Sequence, residues 1–203
     1  TGYVSTKNAD GTYSVKEGKY VAEIGSQGYE SLTEAVAAAQ DGQTVTLLAD
    51  ATEDVVISKS ITLDLGGKTL TNTNAGKATI SVTGGTVTVK NGNVMGGNDY
   101  YNIEVTKGSN ANLTLTDVNA TAGNNGSSMI DNYGTLTITS GTYTGGLDTV
   151  KNEPSAKLNI TGGTFKNLCT RTTAWTVRAT NAADGATKVS GGAFNKEVKD
   201  YYC

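Results

Sequence analysis

Leu113-Thr114-Leu115-Thr116-Asp117-Val118 is followed by Leu136-Thr137-Ile138-Thr139-Ser140-Gly141 and then by Leu158-Asn159-Ile160-Thr161-Gly162-Gly163. In each phrase apolar residues alternate with polar ones, and the phrase closes on residues that turn the chain. Earlier variants are Ile61-Thr62-Leu63-Asp64-Leu65-Gly66 and Val87-Thr88-Val89-Lys90-Asn91-Gly92, and an eroded one is Val189-Ser190-Gly191-Gly192. The second apolar position falls at Leu63, Val89, Leu115, Ile138, Ile160 and Val189, in steps of 26, 26, 23, 22 and 29 residues. Steps of that size are those of solenoid repeats. A period of two within each phrase makes the units strands rather than helices.

A second column precedes the first: Val55/Ile57, Ile80/Val82, Ile103/Val105, Ile130, Val150 and Val177. Each coil therefore has at least two strands, joined by turns such as Gly84-Gly85, Gly108-Ser109 and Gly134. Longer insertions at 96–101, 122–128 and 179–185 are predicted as loops thrown out from one corner. Alternation sends Leu113 and Leu115 inward and Thr114 and Thr116 outward, and each aliphatic residue stacks on its counterpart about 4.8 Å away. Six or so coils predict a rod on the order of 30 Å long.

Upstream, Thr12-Tyr13-Ser14-Val15 and Tyr20-Val21-Ala22-Glu23-Ile24 read as strands, with Asp10-Gly11 a turn signal before the first. They predict an antiparallel appendage over 1–28, ahead of a coil domain over 29–203. Ser31-Leu32-Thr33-Glu34 reads as a capping box, with Ser31 and Glu34 exchanging bonds. Leu32, Ala35, Val36 and Ala39 continue it as an apolar stripe, and Asp41-Gly42 ends it. A helix over about 31–40 would cover the open end of the first coil.

Among 203 residues, 17% are charged and 36% hydrophobic, with Gly 26 and Pro 1. That excludes a charged disordered tail and a helical bundle, and no triplet period supports collagen. A net charge of −3 with scattered lysines excludes a nucleic-acid partner, which needs a basic stripe. No apolar run reaches the roughly 18 residues of a membrane span. The chain opens on Thr1, which reads as a processed product or an excerpt. Cys169 and Cys203 are its only cysteines. One disulfide stapling the final coil in an oxidising exterior and two unrelated thiols both fit.

The segment from Tyr29 to Leu48, with Asp41-Gly42 leading into Thr44-Val45-Thr46-Leu47, is followed by Ser58-Lys59-Ser60-Ile61-Thr62-Leu63-Asp64-Leu65-Gly66-Gly67. Together they resemble the opening of pectin-lyase-like right-handed parallel β-helices. Thr161-Gly162-Gly163-Thr164-Phe165 and Ser190-Gly191-Gly192-Ala193-Phe194 resemble coil ends in repetitive surface proteins of Gram-positive anaerobes. The resemblance implies an all-β fold, a right-handed parallel β-helix, and an extracellular, cell-surface location. Asp200-Tyr201-Tyr202-Cys203 at one end and Asp10-Gly11-Thr12-Tyr13 at the other resemble parts that adjoin in that family. They imply a tandem array or head-to-tail self-association.

Polysaccharide-active enzymes on this fold use clustered carboxylates, often with Arg, Lys or calcium. The chain has no histidine, so imidazole chemistry and His metal sites are excluded. Its two arginines, Arg171 and Arg178, lie late, and Asp64, Asp117, Asp131 and Asp148 show no two carboxylates at adjacent coils of one column. The expectation is a non-enzymatic structural or adhesive module with no catalytic, cofactor-binding or metal residues. A glycan-binding module or a polysaccharide lyase or hydrolase is the alternative, and ice binding by the Thr rows a remote one. Tyr100 and Tyr101, in a predicted loop, are the candidate contacts for a host or bacterial glycan. Lys90 is expected to pair with Asp64, Asn132 and Asn152 to form a ladder at a turn, and Tyr143, Phe165 and Phe194 to stack at a corner of the core.

Overall fold

A computed structural model describes residues 2–98, 100–180, 186–199 and 203, with the side chains of 2–7, 16 and 17 left out of the description. The chain forms a parallel β-solenoid of about five turns with one short helix among the described residues. Each turn passes through three faces. Sheet A comprises Val55–Ile57, Ile80–Val82, Ile103–Val105, Ile130–Asn132, Val150–Asn152 and Val177–Ala179, all parallel and in register. Sheet B comprises Thr44–Leu47, Thr62–Asp64, the first halves of Thr86–Met95 and Asn112–Thr121, Thr135–Ile138, Lys157–Ile160 and Thr187–Val189. Sheet C takes Ala51–Thr52, Thr69–Thr71, the second halves of those two long strands, Gly141–Thr144, Thr164–Lys166 and Ala193–Phe194.

The sequence shows two of these columns plainly and hides the third. In Thr86–Met95 and Asn112–Thr121 the bend between sheets B and C is a single left-handed residue, Asn91 (φ 58°) or Asp117 (φ 53°). Asn and Asp tolerate that conformation, so one unbroken strand turns the corner with no loop to announce it. Later coils turn at Gly141 (φ 108°), where a Cβ would lie 2.0 Å from the Val118 carbonyl oxygen. Only glycine fits there.

The inward rows are aliphatic from coil to coil. Val45, Leu63, Val89, Leu115, Ile138, Ile160 and Val189 follow one another on sheet B, and Val55, Ile80, Ile103, Ile130, Val150 and Val177 on sheet A, all buried. Each such side chain contributes roughly 1.5–3 kcal/mol by leaving water. On sheet C the row runs Leu70, Val94, Ala120, Tyr143, Phe165, Phe194. Its last three rings stack at centroid separations of 5.0 and 4.8 Å, as the sequence predicts.

The helix spans Leu32–Ala38 and buries Leu32, Ala35, Val36 and the following Ala39 against the first coil. Ser31 accepts from the Glu34 amide at 3.1 Å, but Glu34 returns no bond. Glu53, one coil on, instead accepts from the amides of Leu32 and Thr33. At the other end Lys59 Nζ donates to the carbonyls of Ala37 and Ala39, both at 2.7 Å. The helix is thus capped at both ends by the solenoid it covers, which satisfies groups its own backbone leaves open.

The antiparallel region read as one appendage over 1–28 is two hairpins. Gly2–Lys7 and Tyr13–Gly18 pair only with each other. Ala22–Ile24 and Gln27–Tyr29 pair together, and Ala22–Ile24 also joins Thr44–Leu47, so the second hairpin closes the edge of sheet B. The expected single loop corner is likewise corrected. The insertions at 96–101 and 122–128 link sheet C to sheet A, whereas 179–185 links sheet A to sheet B and lies mostly outside the described residues. The C-to-A crossing spans more residues in most coils, which leaves chain to lie across sheet A.

Candidate functional site

Sheet A presents its middle residues outward: Val56, Ser81, Glu104, Asp131, Lys151 and Arg178 on successive coils. The expectation that no two carboxylates share a column on adjacent coils is therefore wrong, since Glu104 and Asp131 are register partners. The signal was present in the sequence. Ile103-Glu104-Val105 and Ile130-Asp131-Asn132 are equivalent triplets, and the residue between two inward positions must point out. What no pattern shows is that Asp131, on an outward face, is completely buried.

Chain from the preceding coil covers it. Tyr100 and Tyr101 lie back over sheet A, with ring centroids 4.5 Å apart and planes tilted by 52°. Tyr100 lines a groove of about 160 Å³ with Asp54, Val56, Lys77, Ser81 and Glu104. The Tyr101 hydroxyl lies within electrostatic reach of Asp131, yet no hydrogen bond of ordinary geometry reaches either carboxylate oxygen.

Burial raises the Asp131 carboxyl to about 6, opposed by Lys151 and reinforced by Glu153 and Glu104. Burial also raises Glu104 above its ordinary value. Tyr101 is pushed well above its ordinary value, first by burial and then by the Asp131 charge. For Lys151, burial opposes the charge, but the bond to Glu153 and the nearby Asp131 outweigh it and raise the amine. Arg178 pairs at 3.3 Å with Asp148, whose other oxygen accepts from the Trp175 amide at 3.0 Å. Lys151, the register partner of Asp131 on the next rung, bonds Glu153 and also acts on Asp131, and Arg178 pairs with Asp148, while Glu104 makes no ion pair among the described residues.

The interior neighbour of Asp131 is its opposite. Asn132 donates to Asn152 Oδ1 at 2.7 Å and to the Lys157 carbonyl at 2.9 Å. Asn152 donates in turn to the Ala156 carbonyl and to Thr187 Oγ1, both at 3.0 Å. This is the expected ladder, pinning the A-to-B turns. Three further interior asparagines, Asn72, Asn102 and Asn167, hold the C-to-A crossings by donating to backbone carbonyls. They fall outside the apolar rows that repeat in the sequence.

Lys90 and Asp64 pair at 3.2 Å on sheet B, as anticipated, with both side chains partly exposed. Cys169 is buried and Cys203 exposed, and each is a free thiol in this structure. Among the described residues no three His, Cys, Asp or Glu side chains converge to hold a metal ion, and no helix is long and apolar enough to cross a membrane. No family model, curated protein or solved structure matches the chain.

Proposed function

We propose that this chain is a non-enzymatic structural and adhesive module of a bacterial cell surface, built on a right-handed β-helix of the pectin-lyase-like kind. The observation that carries the reading is the backbone ladder, unbroken through three faces from the helical cap to the last coil. Each coil satisfies the hydrogen bonds of the next and contacts only its neighbours, so the fold is quasi-one-dimensional and suited to holding a face at a fixed distance. Small-angle scattering is expected to give the profile of a single rigid body. The profile of a flexible chain removes the reading.

The last strands of each face and the self-paired hairpin Gly2–Lys7/Tyr13–Gly18 support head-to-tail association. Val177–Ala179, Thr187–Val189 and Ala193–Phe194 each have one paired neighbour among the described strands, and Tyr13 and Val15 are exposed at 63% and 62%. Open edges recruit strands. Electron microscopy at rising concentration is expected to show filaments, and a chain that stays monomeric throughout rejects the association.

A second reading is favoured by the groove beside Tyr100 and Glu104, which makes the outer face of sheet A a glycan receptor. An aromatic ring next to a carboxylate suits a sugar's apolar face and its hydroxyls. A glycan array tests binding, and lyase and hydrolase assays on the bound sugars test turnover; binding without turnover is the expected result.

A further inference from the structure

Charge is divided unequally between the two ends of the solenoid. Residues 1–54, which hold both hairpins, the helix and the first strands of sheets B and C, carry nine Asp and Glu against three Lys, a net −6. Residues 150–203, which hold the last strands of all three sheets, carry eight Lys and Arg against four Asp and Glu, a net +4. About five turns at ~4.8 Å each put the ends roughly 25 Å apart, more than twice the Debye length of about 10 Å in 0.1 M salt. The two ends of one copy are therefore screened from each other, whereas the end of a second copy in contact is not.

Local bonding fixes the acids in place and leaves the bases free. Asp41, Asp50 and Asp54 accept from the backbone amides of Ser60, Thr69 and Thr73 on the next coil, at 2.9, 2.8 and 2.9 Å. Among the described residues none of the three has an ion pair, and neither has Glu34 on the exposed side of the helix or Glu23 in the second hairpin. At the other end Lys166, Arg171 and Lys188 are exposed and likewise without a charged partner. Lys188 stands on the last rung of sheet B. Lys196 is spent on the carbonyls of Cys169 and Ala174, and exposed Glu197 offsets one of the free cations.

Two caps in contact set −6 against −6, and two last coils set +4 against +4, so both two-fold arrangements are repulsive. Cap against last coil brings opposite signs together, and a heterologous contact of that kind continues from copy to copy. We propose that the partner of each end is a second copy of this chain, the acidic cap of one docking on the basic last coil of the next. Charge sets the direction of the contact and salt releases it. This builds on the head-to-tail association proposed above and adds the force that orients it.

Sedimentation and electron microscopy of the full chain test it. The association constant is expected to fall about tenfold or more between roughly 0.05 and 0.5 M salt. Glu23→Lys with Glu34→Lys alters the cap, and Lys166→Glu with Arg171→Glu and Lys188→Glu reverses the net charge of the last coil's end. Each variant alone is expected to stay monomeric while melting within a few degrees of the wild type. Mixed, the two are expected to associate again, because the second keeps a native cap and the first a native last coil. Added in small proportion to wild-type chains, the last-coil variant is expected to shorten the filaments, since its cap docks and its other end accepts nothing. Association indifferent to salt, a variant that assembles alone as the wild type does, or a mixture that stays monomeric overturns the proposal. Wild-type chains that are monomeric at every concentration and salt reject the head-to-tail reading itself, whereas filaments that ignore salt and charge reversal reject only its electrostatic direction.

Discussion

The outer faces of sheets A and B stand on the same ladder and have opposite characters. Sheet B carries Thr44, Thr62, Thr88, Thr114, Thr137, Asn159 and Lys188 in one row, uncharged until its last rung. In the neighbouring outward row Asp64 pairs with Lys90, and the Thr116 and Thr139 hydroxyls bond along the axis at 2.8 Å; β-branched residues suit an exposed strand. Sheet A carries acids, then bases, with a carboxylate buried beneath tyrosines of a neighbouring coil. Backbone geometry does not distinguish the faces. The connections do: the crossings from C to A are long enough to fold over sheet A. A regular coil supplies rigidity, and an irregular connection supplies a site.

The comparison breaks first if the shared interior is not what supports both faces. Leu115→Ala removes a fully buried side chain from the middle of the inner row and is expected to cost roughly 2–5 kcal/mol in denaturant unfolding. Asn132→Ala strips the interior ladder, leaving the Lys157 carbonyl without its side-chain donor, and is expected to cost roughly 1–3 kcal/mol.

Asp131→Asn, one residue away, is expected to act in the opposite sense. The folded carboxyl titrates near 6, above its unfolded value of about 3.9, so the folded state holds the proton more tightly between those values. Wild-type stability is therefore expected to fall as pH rises from about 4 through 6, by an amount on the order of 1–3 kcal/mol, and to level off above. The Asn variant lacks this component. Melting curves at several pH values for both proteins check the sign, and parallel pH profiles would show that Asp131 has no buried charge to relieve.

The smallest effect belongs to sheet B. Lys90→Met removes an ion pair whose side chains are 36% and 20% exposed, and is expected to change stability by less than about 1 kcal/mol. A larger loss would mean that this face, too, is held by more than its ladder.

Much of the fold was legible because burial imposes a period. Leu113, Leu115, Leu136 and Ile138 repeat because each needs an aliphatic neighbour one rung away. The helix was legible from Leu32, Ala35, Val36 and Ala39, and its N-cap from Ser31; the further caps were not, because Glu53 and Lys59 come from beyond the helix and nothing local to it points to them. Sheet C escaped notice because Asn91 and Asp117 turn the corner inside continuous strands. The candidate site was half legible. Tyr100 and Tyr101 stand out as an aromatic pair in a loop, and Glu104 and Asp131 occupy equivalent positions in Ile103-Glu104-Val105 and Ile130-Asp131-Asn132.

The amino-acid order alone determined that the chain coils, which residues face inward and roughly how far apart the rungs lie, because alternation and period are properties of the chain itself. Only the tertiary structure decided that Asp131 is buried while Thr114, equally outward on its strand, is not. Burial on an outer face depends on where another coil's connection comes to rest, and that is settled by packing between segments that are distant in sequence.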